Sequence, residues 1–221
     1  MNDAGTVVGG SGACGPPMNT LPVHAALWRN GAPPRVLTNT LPNGGSSAFA
    51  SAVNNNGQVV GPATLAGDTV THAFLWQEGE GMKDLGSLLP GDTFVFPQSI
   101  NNRGEVVGLS CGSEPTATGC AGFYWRNGVL IDLNAHLTQP TSLQIHSAND
   151  INDSGEISVA AFDPNFNGGD LVPVVLVPAP GEVASQNSQS PSAAVAQRSV
   201  LRSDILQRLK ALGPRGWRIA R

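Results

Sequence analysis

The sequence predicts an all-β protein built as an antiparallel β-propeller-like array of about four four-stranded blades, some of them incomplete. Three observations lead to this class. A sequence repeat of roughly fifty residues recurs along the chain. Each copy places tight-turn signals between short apolar runs. Glycine (27) and proline (17) together make 44 of the 221 residues, which suits many short strands joined by many turns.

The first repeated element is an apolar residue, Asn, Asn or Asp, any residue and Gly, followed by a short apolar run. Its copies span residues 1–9, 53–61, 100–108 and, in a weaker form, 151–159. Asn and Asp bond their own backbone in turns, and Gly adopts positive φ freely. The element therefore predicts a tight turn that leads into a strand. The predicted turn residues are Gly5, Gly57, Gly104, Gly155, Asn54, Asn101 and Asn152.

The second element predicts a strand that ends in tryptophan and keeps step with the first element. Its copies are His24–Trp28, His72–Trp76 and 121–125, and a glycine turn follows each. After the third copy, Asn127-Gly128 is the strongest short-range signal for a hairpin with a type I′ turn. We expect the recurring aromatic residues to pack between neighbouring sheets as the repeat core: Trp28, Trp76, Trp125, Phe74 and Phe123.

A closing strand at residues 82–85 and 129–133 completes the unit, which reads as a four-stranded antiparallel meander. Such a repeated unit is typical of a β-propeller. A β-solenoid is the alternative, but its rungs are usually shorter and parallel. The first copy lacks its opening strand, and the fourth lacks the tryptophan and a clear closing strand. These ends predict an incomplete ring from a longer propeller. The rivals are a small four-bladed ring and an arc that self-associates through its open sheet edges.

Composition divides the chain into three parts. Residues 1–180 form the predicted repeat domain, residues 181–197 a flexible, disordered linker and residues 198–221 a basic tail, in which Ser199 to Leu212 predicts a short amphipathic helix. The tail has seven basic residues and one acid (+6), which leaves 5 basic and 15 acidic residues (−10) in residues 1–197. An acidic body argues against binding to nucleic acid. No apolar run reaches the length of a transmembrane helix, and no secretory signal follows Met1.

Two cysteines flank the loop between adjacent strands of the third copy. We predict that Cys111 and Cys120 form a disulfide, which fits an oxidising compartment, with free thiols as the alternative. Cys14 has no partner at the matching position of its own copy. The three cysteine spacings make no zinc motif, so we expect no metal and no cofactor.

The acids and histidines of the repeat are weak candidates for catalysis. His24 and His72 share one repeat position, and Asp84 and Asp132 share another, which favours structural roles. The separation that glycoside hydrolysis requires of paired carboxylates is not visible in sequence. The Asn-Asp turns at Asp3 and Asp153 offer too few carboxylates for a calcium loop.

Two further histidines, His136 and His146, lie outside the repeated positions. No nucleophile or acid has a defined relation to either of them. We therefore predict no catalytic residue, and the binding residues stay unassigned.

The element from Val53 to Gly86 joins the Asn turn, His72-Ala-Phe-Leu-Trp76 and Met82-Lys-Asp-Leu85, and it resembles the HAF repeats of bacterial extracellular proteins. The resemblance covers residues 1–178. It implies a propeller-like fold and a location outside the cell or on its surface, and it implies no established activity. We therefore expect a non-enzymatic repeat protein that acts as a binding or structural scaffold for a protein or a glycan. The alternatives are a propeller-type glycan hydrolase or lyase and a truncated remnant of a longer repeat protein.

Overall fold

The computed structural model describes residues 1–12, 24–29, 31–37, 41, 44–113, 119–164, 171–179 and 216–219. Across these ranges the protein is all-β, with antiparallel sheets and one short 3₁₀ helix at Leu133–His136. The predicted linker at residues 181–197 and the predicted helix from Ser199 to Leu212 lie outside the described residues.

Four groups of strands correspond to the four sequence copies, and we call them units 1 to 4. Unit 1 contains β1 Val7–Ser11, β2 His24–Trp28 and β3 Arg35–Val36. Unit 2 contains β4 Gly44–Ala48, β5 Ala52–Val53, β6 Val59–Leu65, β7 Thr71–Gln77 and β8 Gly81–Gly86. Unit 3 contains β9 Phe94–Ile100, β10 Val106–Cys111, β11 Cys120–Arg126 and β12 Val129–Asp132. Unit 4 contains β13 Gln144–Ile151, β14 Ile157–Phe162, β15 Leu171–Pro178 and β16 Trp217–Ile219.

Every unit is an antiparallel meander, and the register of its central strand pair is the same throughout. The first apolar residue after the turn opposes the tryptophan, or its equivalent, at or near the end of the next strand. The pairs are Val7 with Trp28, Val59 with Trp76, Val106 with Trp125, and Ile157 with Leu176. The fourth unit therefore carries a leucine where the other three carry tryptophan.

Units 2 and 3 form one continuous nine-stranded sheet. The link between their two meanders is a single parallel pair, Thr71 with Phe94. Units 1 and 4 are separate sheets of three and four strands. As the sequence predicts, the first unit has no opening strand among the described residues.

The closing strand of unit 4 comes from the far end of the chain and corrects the expectation that this copy lacks one. Strand β16 pairs with β15, and Trp217 is 2% exposed. Its indole N–H donates to the carbonyl of Gly155 at 3.4 Å, and its ring meets Tyr124 edge-on at 4.7 Å. Three residues assigned to the tail thus belong to the sheet. Burial of the Trp217 side chain and hydrogen bonding to the edge of β15 stabilise them there, although the sequence around them is polar.

In the part of the chain that the structure describes, the hydrophobic core forms three clusters, one between each pair of consecutive units. Leu27 of unit 1 packs with Val59 and Trp76 of unit 2. The next residue of the same strand, Val60, points to the other face and packs against Trp125 of unit 3. A third cluster joins units 3 and 4 through Val107, Tyr124, Ile157 and Leu176. Each middle unit therefore buries both of its faces.

Phe74 and Phe123, predicted as repeat core, are fully buried, and each lies opposite a glycine. The cross-strand pairs are Gly61 with Phe74 and Gly108 with Phe123. A Cβ atom on Gly108 would lie 2.1 Å from the carbonyl oxygen of Phe96 and 2.9 Å from the Phe123 ring. The glycine therefore allows both the aromatic ring and the neighbouring strand to approach closely.

Two local predictions can be located in unit 3. Asn127 (φ 51°) and Gly128 (φ 85°) both have positive φ, which confirms the type I′ turn. Cys111 and Cys120 oppose each other at the ends of β10 and β11 and are joined by a disulfide. Cys14 lies outside the described residues.

Candidate functional site

The four Asn turns have the same conformation. In each, the glycine has a positive φ, between 73° and 84°, and its N–H donates to the carbonyl of the asparagine. The asparagine side chain supports the turn from within, since Oδ1 of Asn101 accepts from the N–H groups of Arg103 and Glu105 at 3.0 Å each. Only Gly takes such a φ without strain, which explains why Gly recurs here.

The same asparagines also join each turn to the next. The side-chain NH₂ group of Asn2 donates to the carbonyl of Asn54 at 3.0 Å, that of Asn54 to Asn101 at 2.9 Å, and that of Asn101 to Asn152 at 3.0 Å. We call this series the asparagine ladder. Asn54 and Asn101 are each 4% exposed, so their hydrogen bonds form away from water.

A second row of bonds lies beside the asparagine ladder and is made by the following residue of each turn. The backbone N–H of Asp3 donates to Oδ1 of Asn55, that of Asn55 to Asn102, and that of Asn102 to Asp153, at 2.7–2.9 Å. Nδ2 of Asn102 also donates to the second carboxylate oxygen of Asp153 at 2.7 Å. These two bonds from Asn102 hold the pKa of Asp153 below its usual value.

The four turns together line one open concavity of about 310 Å³. Each turn contributes three consecutive residues, at 1–3, 53–55, 100–102 and 151–153. The lining is thus made of equivalent positions of the repeat, and its amide and carboxylate groups are largely bonded to one another. All four turns therefore face the same concavity.

A buried carboxylate lies directly behind the asparagine ladder in unit 3. Glu105 is fully buried and accepts from Nδ2 of Asn101 at 2.7 Å and from Nη2 of Arg103 at 2.6 Å. Arg126 lies 3.6 Å away. Burial pushes the pKa of Glu105 up, but the hydrogen bonds from Arg103, Asn101 and Tyr124 outweigh it and hold the pKa below its usual value.

At the equivalent position of unit 2, an uncharged residue accepts the hydrogen bond from the turn asparagine. Gln58 accepts from Nδ2 of Asn54 at 2.7 Å and donates to Gln77 at 3.2 Å. Gln77 occupies the position that Arg126 occupies in unit 3, directly after the tryptophan. A neutral Gln–Gln pair in one unit thus replaces a Glu–Arg pair in the next, which marks both as structural.

In units 1 and 2, a cation lies over the tryptophan of the following unit. The guanidinium of Arg35 is 5.7 Å from the ring of Trp76, and the ammonium of Lys83 is 5.5 Å from the ring of Trp125. Arg35 and Lys83 hold the same register position, opposite Leu27 and Leu75. The two contacts are thus one repeated interaction between consecutive units.

The acids and histidines considered for catalysis do not converge. Nδ1 of His72 is 2.9 Å from Asp84 on the adjacent strand, and burial, which raises the pKa of Asp84, is outweighed by hydrogen bonds from His72 and the N–H of Gly86, so the pKa is lowered. Asp132 instead caps the 3₁₀ helix through the N–H of Asn134. His24 is exposed on β2.

The two histidines outside the repeat pattern are also apart from the concavity. Nδ1 of His136 is 3.0 Å from the carbonyl oxygen of Asp132. Burial lowers the pKa of His146, whose Nδ1 has no hydrogen-bond partner among the residues with described positions. Within the described ranges, no group of three or more His, Cys, Asp or Glu residues could hold a metal ion. None of the helical structure in those ranges is long and apolar enough to span a membrane.

These features define a β-repeat protein whose units are joined by stacked Asn turns and by tryptophans packed between sheets. The chain belongs to the family described as "Protein of unknown function (DUF3466)", which matches residues 1–183. Strand β16 lies beyond the matched residues. No curated protein matches the chain, and no solved structure matches it.

Sequence reasoning identified the turn asparagines but not the asparagine ladder. The positions that it missed are Glu105, Arg103 and the two cations, Arg35 and Lys83. A signal was present for one of them, since the residue after each turn glycine is polar in every copy: Thr6, Gln58, Glu105 and Glu156. For the cations, the third sequence element was too loosely aligned to show that Arg35 and Lys83 are equivalent.

Proposed function

We propose that this protein is a non-enzymatic, propeller-type repeat scaffold of the HAF-repeat kind, exported or displayed at the cell surface, whose concave face binds a protein or a glycan. The observation that supports this function is the lining of the concavity. A catalytic site needs a few residues that differ from their repeat equivalents and are positioned for chemistry. Here every lining position recurs in all four turns.

The propeller-type arrangement has support of its own. Among the described residues, three hydrophobic clusters join the four units in chain order, each cluster between two consecutive units. The four turns face a common concavity, as inner turns do around a propeller axis. Export is supported by the disulfide between Cys111 and Cys120, because such bonds persist in oxidising compartments.

Parallel assays of binding and turnover test this function. The full chain is incubated with cellulose, chitin, alginate and pectin, and both co-sedimentation and the release of reducing or unsaturated sugar ends are measured. The scaffold proposal expects no product from any polymer, and binding, if it is to a glycan, that weakens in Asp153→Asn. Asp68→Asn is the matched control, since Asp68 is an exposed carboxylate that Ser46 and Thr64 hold away from the concavity. Release of sugar ends that requires the added protein would contradict the proposal.

Localisation is tested on protein taken from its native cells. Fractionation with differential alkylation of thiols should find the chain outside the cytoplasm, with Cys111 and Cys120 protected until a reductant is added. Cytoplasmic protein with both thiols free would contradict export and leave the turnover assay unaffected.

A further inference from the structure

Unit 1 exposes part of a face that its equivalents bury, although Ala26 on this face is fully buried. Val7 is 42% exposed, whereas the matching residues Val59, Val106 and Ile157 are at most 1% exposed. Trp28 is only partly buried, although Trp76 and Trp125 are at most 5% exposed. Val36 on β3, which is 39% exposed, adds apolar surface at the position where units 2 and 3 carry Asp84 and Asp132. In units 2 to 4 this face packs on the preceding unit. We call the surface of Val7, Trp28 and Val36 the first end face.

Unit 4 exposes the face that, in units 1 to 3, packs toward the following unit. Leu171, Pro173 and Val175 alternate along β15 and are exposed, Leu171 and Val175 by 46% each. The register places Val175 at the position of Leu27, Leu75 and Tyr124, which in units 1 to 3 pack toward the following unit. We call the surface of Leu171, Pro173 and Val175 the second end face.

The second end face also carries a cation. Trp217 and Ile219 of β16 pack on the core that joins units 3 and 4, so Arg218 between them lies on the other side of the strand, where it is exposed. That is the side on which Arg35 and Lys83 reach the tryptophan of the following unit. Arg218 opposes Val177, two positions along the strand from the register of those cations.

We propose that the second end face of one molecule docks on the first end face of a second copy of this chain. Val175 and Leu171 would then cover Val7 and Val36, and Arg218 would reach Trp28 from a position two residues along the strand, which gives a cation–tryptophan contact of the same kind as those between consecutive units. This association is head to tail, and such contacts close into rings when the rotation allows. Two arcs of four units make a ring of eight, within the range of propellers. The inference rests on the propeller-type arrangement in the proposed function.

The test is the molar mass of the full chain in solution, measured by light scattering and sedimentation velocity. The expected mass is twice that of the 22.8 kDa chain. Val7→Asp and Val175→Asp, each on its own, should halve the mass, because either places a carboxylate in the apolar contact. Phe49→Asp is the matched control, since Phe49 is 43% exposed but lies on neither end face, and it should leave the mass unchanged.

Mixing distinguishes the head-to-tail arrangement from a face-to-face one. Val7→Asp and Val175→Asp chains still share one intact contact, so their mixture should regain a complex of twice the chain mass. Melting curves show whether each variant is folded. A wild-type monomer at every concentration, or a dimer indifferent to either substitution, would overturn the proposal and assign the first end face to another occupant, such as a further repeat. Either result leaves the glycan assays standing, so failure of the two proposals can be told apart.

Discussion

The asparagines of the turns cannot be exchanged for aspartate, although the two residues have the same shape. Oδ1 of Asn101 only accepts, a role that a carboxylate could fill. Its NH₂ group, however, donates to the carbonyl of Asn152 and to Glu105, and a carboxylate has no hydrogen to donate. This double role explains why Asn holds the first position of all four turns, while the next position varies between Asn and Asp.

Asn101→Asp should lower the free energy of unfolding by about 2–4 kcal/mol, because it removes two buried donors and places a second carboxylate beside Glu105. Urea denaturation followed by circular dichroism measures the change. Asn152→Asp is the matched control, since Asn152 holds the same position in an exposed turn, and it should cost less than half as much. Equal costs would mean that the asparagine ladder contributes nothing beyond the turn itself.

Glu105 makes stability depend on acidity. Its folded-state pKa lies below the usual 4.5, so its contribution is complete above that pH and is lost as the pH falls through the lower, folded value. The groups that face it include Arg103, Arg126, Asn101 and the hydroxyl of Tyr124. Glu105→Gln should therefore lower the melting temperature at neutral pH and flatten its decline below about pH 4.5.

The comparison for Glu105→Gln is Glu80→Gln, which removes an exposed carboxylate from a turn. Melting temperatures of the three proteins are recorded across the acid range. An identical acid limb in wild type and Glu105→Gln would show that other carboxylates control acid unfolding.

At the level of elements, the residue two positions into the strand after each turn depends in size on the residue that it faces on the next strand. In units 2 and 3, a glycine faces a phenylalanine and a bulged neighbouring strand approaches closely. In unit 4 the same two positions hold Val159 and Val174. Two side chains of medium size thus replace the pair of a glycine, which has no side chain, and a phenylalanine, which has a large one. The pair keeps its volume although neither residue is the same.

Gly108→Ala should cost about 1–3 kcal/mol, because its new methyl group would meet backbone atoms of Phe96 and Pro97, which cannot move aside as a flexible side chain could. Gly112→Ala serves as the control, since a Cβ there has no atom within 4 Å. The free energies of unfolding of both variants are compared. If Gly108→Ala is as stable as the wild type, β9 can shift to accommodate the methyl group.

The contact between consecutive units depends most on tryptophan. Trp76 is 2% exposed among residues of units 1 and 2 and lies under Arg35. Trp76→Ala should cost about 3–5 kcal/mol, the range for a large aromatic truncation in a core. Phe49→Ala, which removes a 43% exposed ring, should change stability by about 0.5 kcal/mol at most. A near-silent melting curve for Trp76→Ala would contradict this placement.

At the level of the whole molecule, the last unit is completed by residues that are distant in sequence. The N–H groups of Thr138 and Ala179 donate to the carbonyls of Trp217 and Gly216 at 2.9 Å, so the C-terminal strand is held from both sides. Pro178 is tolerated beside this strand because backbone hydrogen bonds between antiparallel strands alternate along the pair. Ala179 makes the bond to Gly216, so Pro178, opposite Trp217, needs no N–H there.

Trp217→Ala should release this strand and expose the edge of β15. Hydrogen exchange measured by mass spectrometry should show lost protection in β15 and at Thr138, with β6 and β7 unchanged. Arg218→Gln keeps the buried ring and should retain protection at Thr138. Unchanged exchange in Trp217→Ala would mean that the strand pairing alone, without the indole, holds the C-terminal residues.

The sequence by itself determined what is local or periodic. It predicted the four Asn turns, the type I′ hairpin at Asn127-Gly128 and the antiparallel strands, because backbone preferences and a repeat period depend on neighbouring residues. It also predicted that unit 1 has no opening strand, and none is present among the described residues. Tertiary structure alone decided which residues from different copies meet. The asparagine ladder, the cations over Trp76 and Trp125, and the pairing of β16 with β15 join residues about 40 to 50 positions apart, and such contacts depend on how whole units pack.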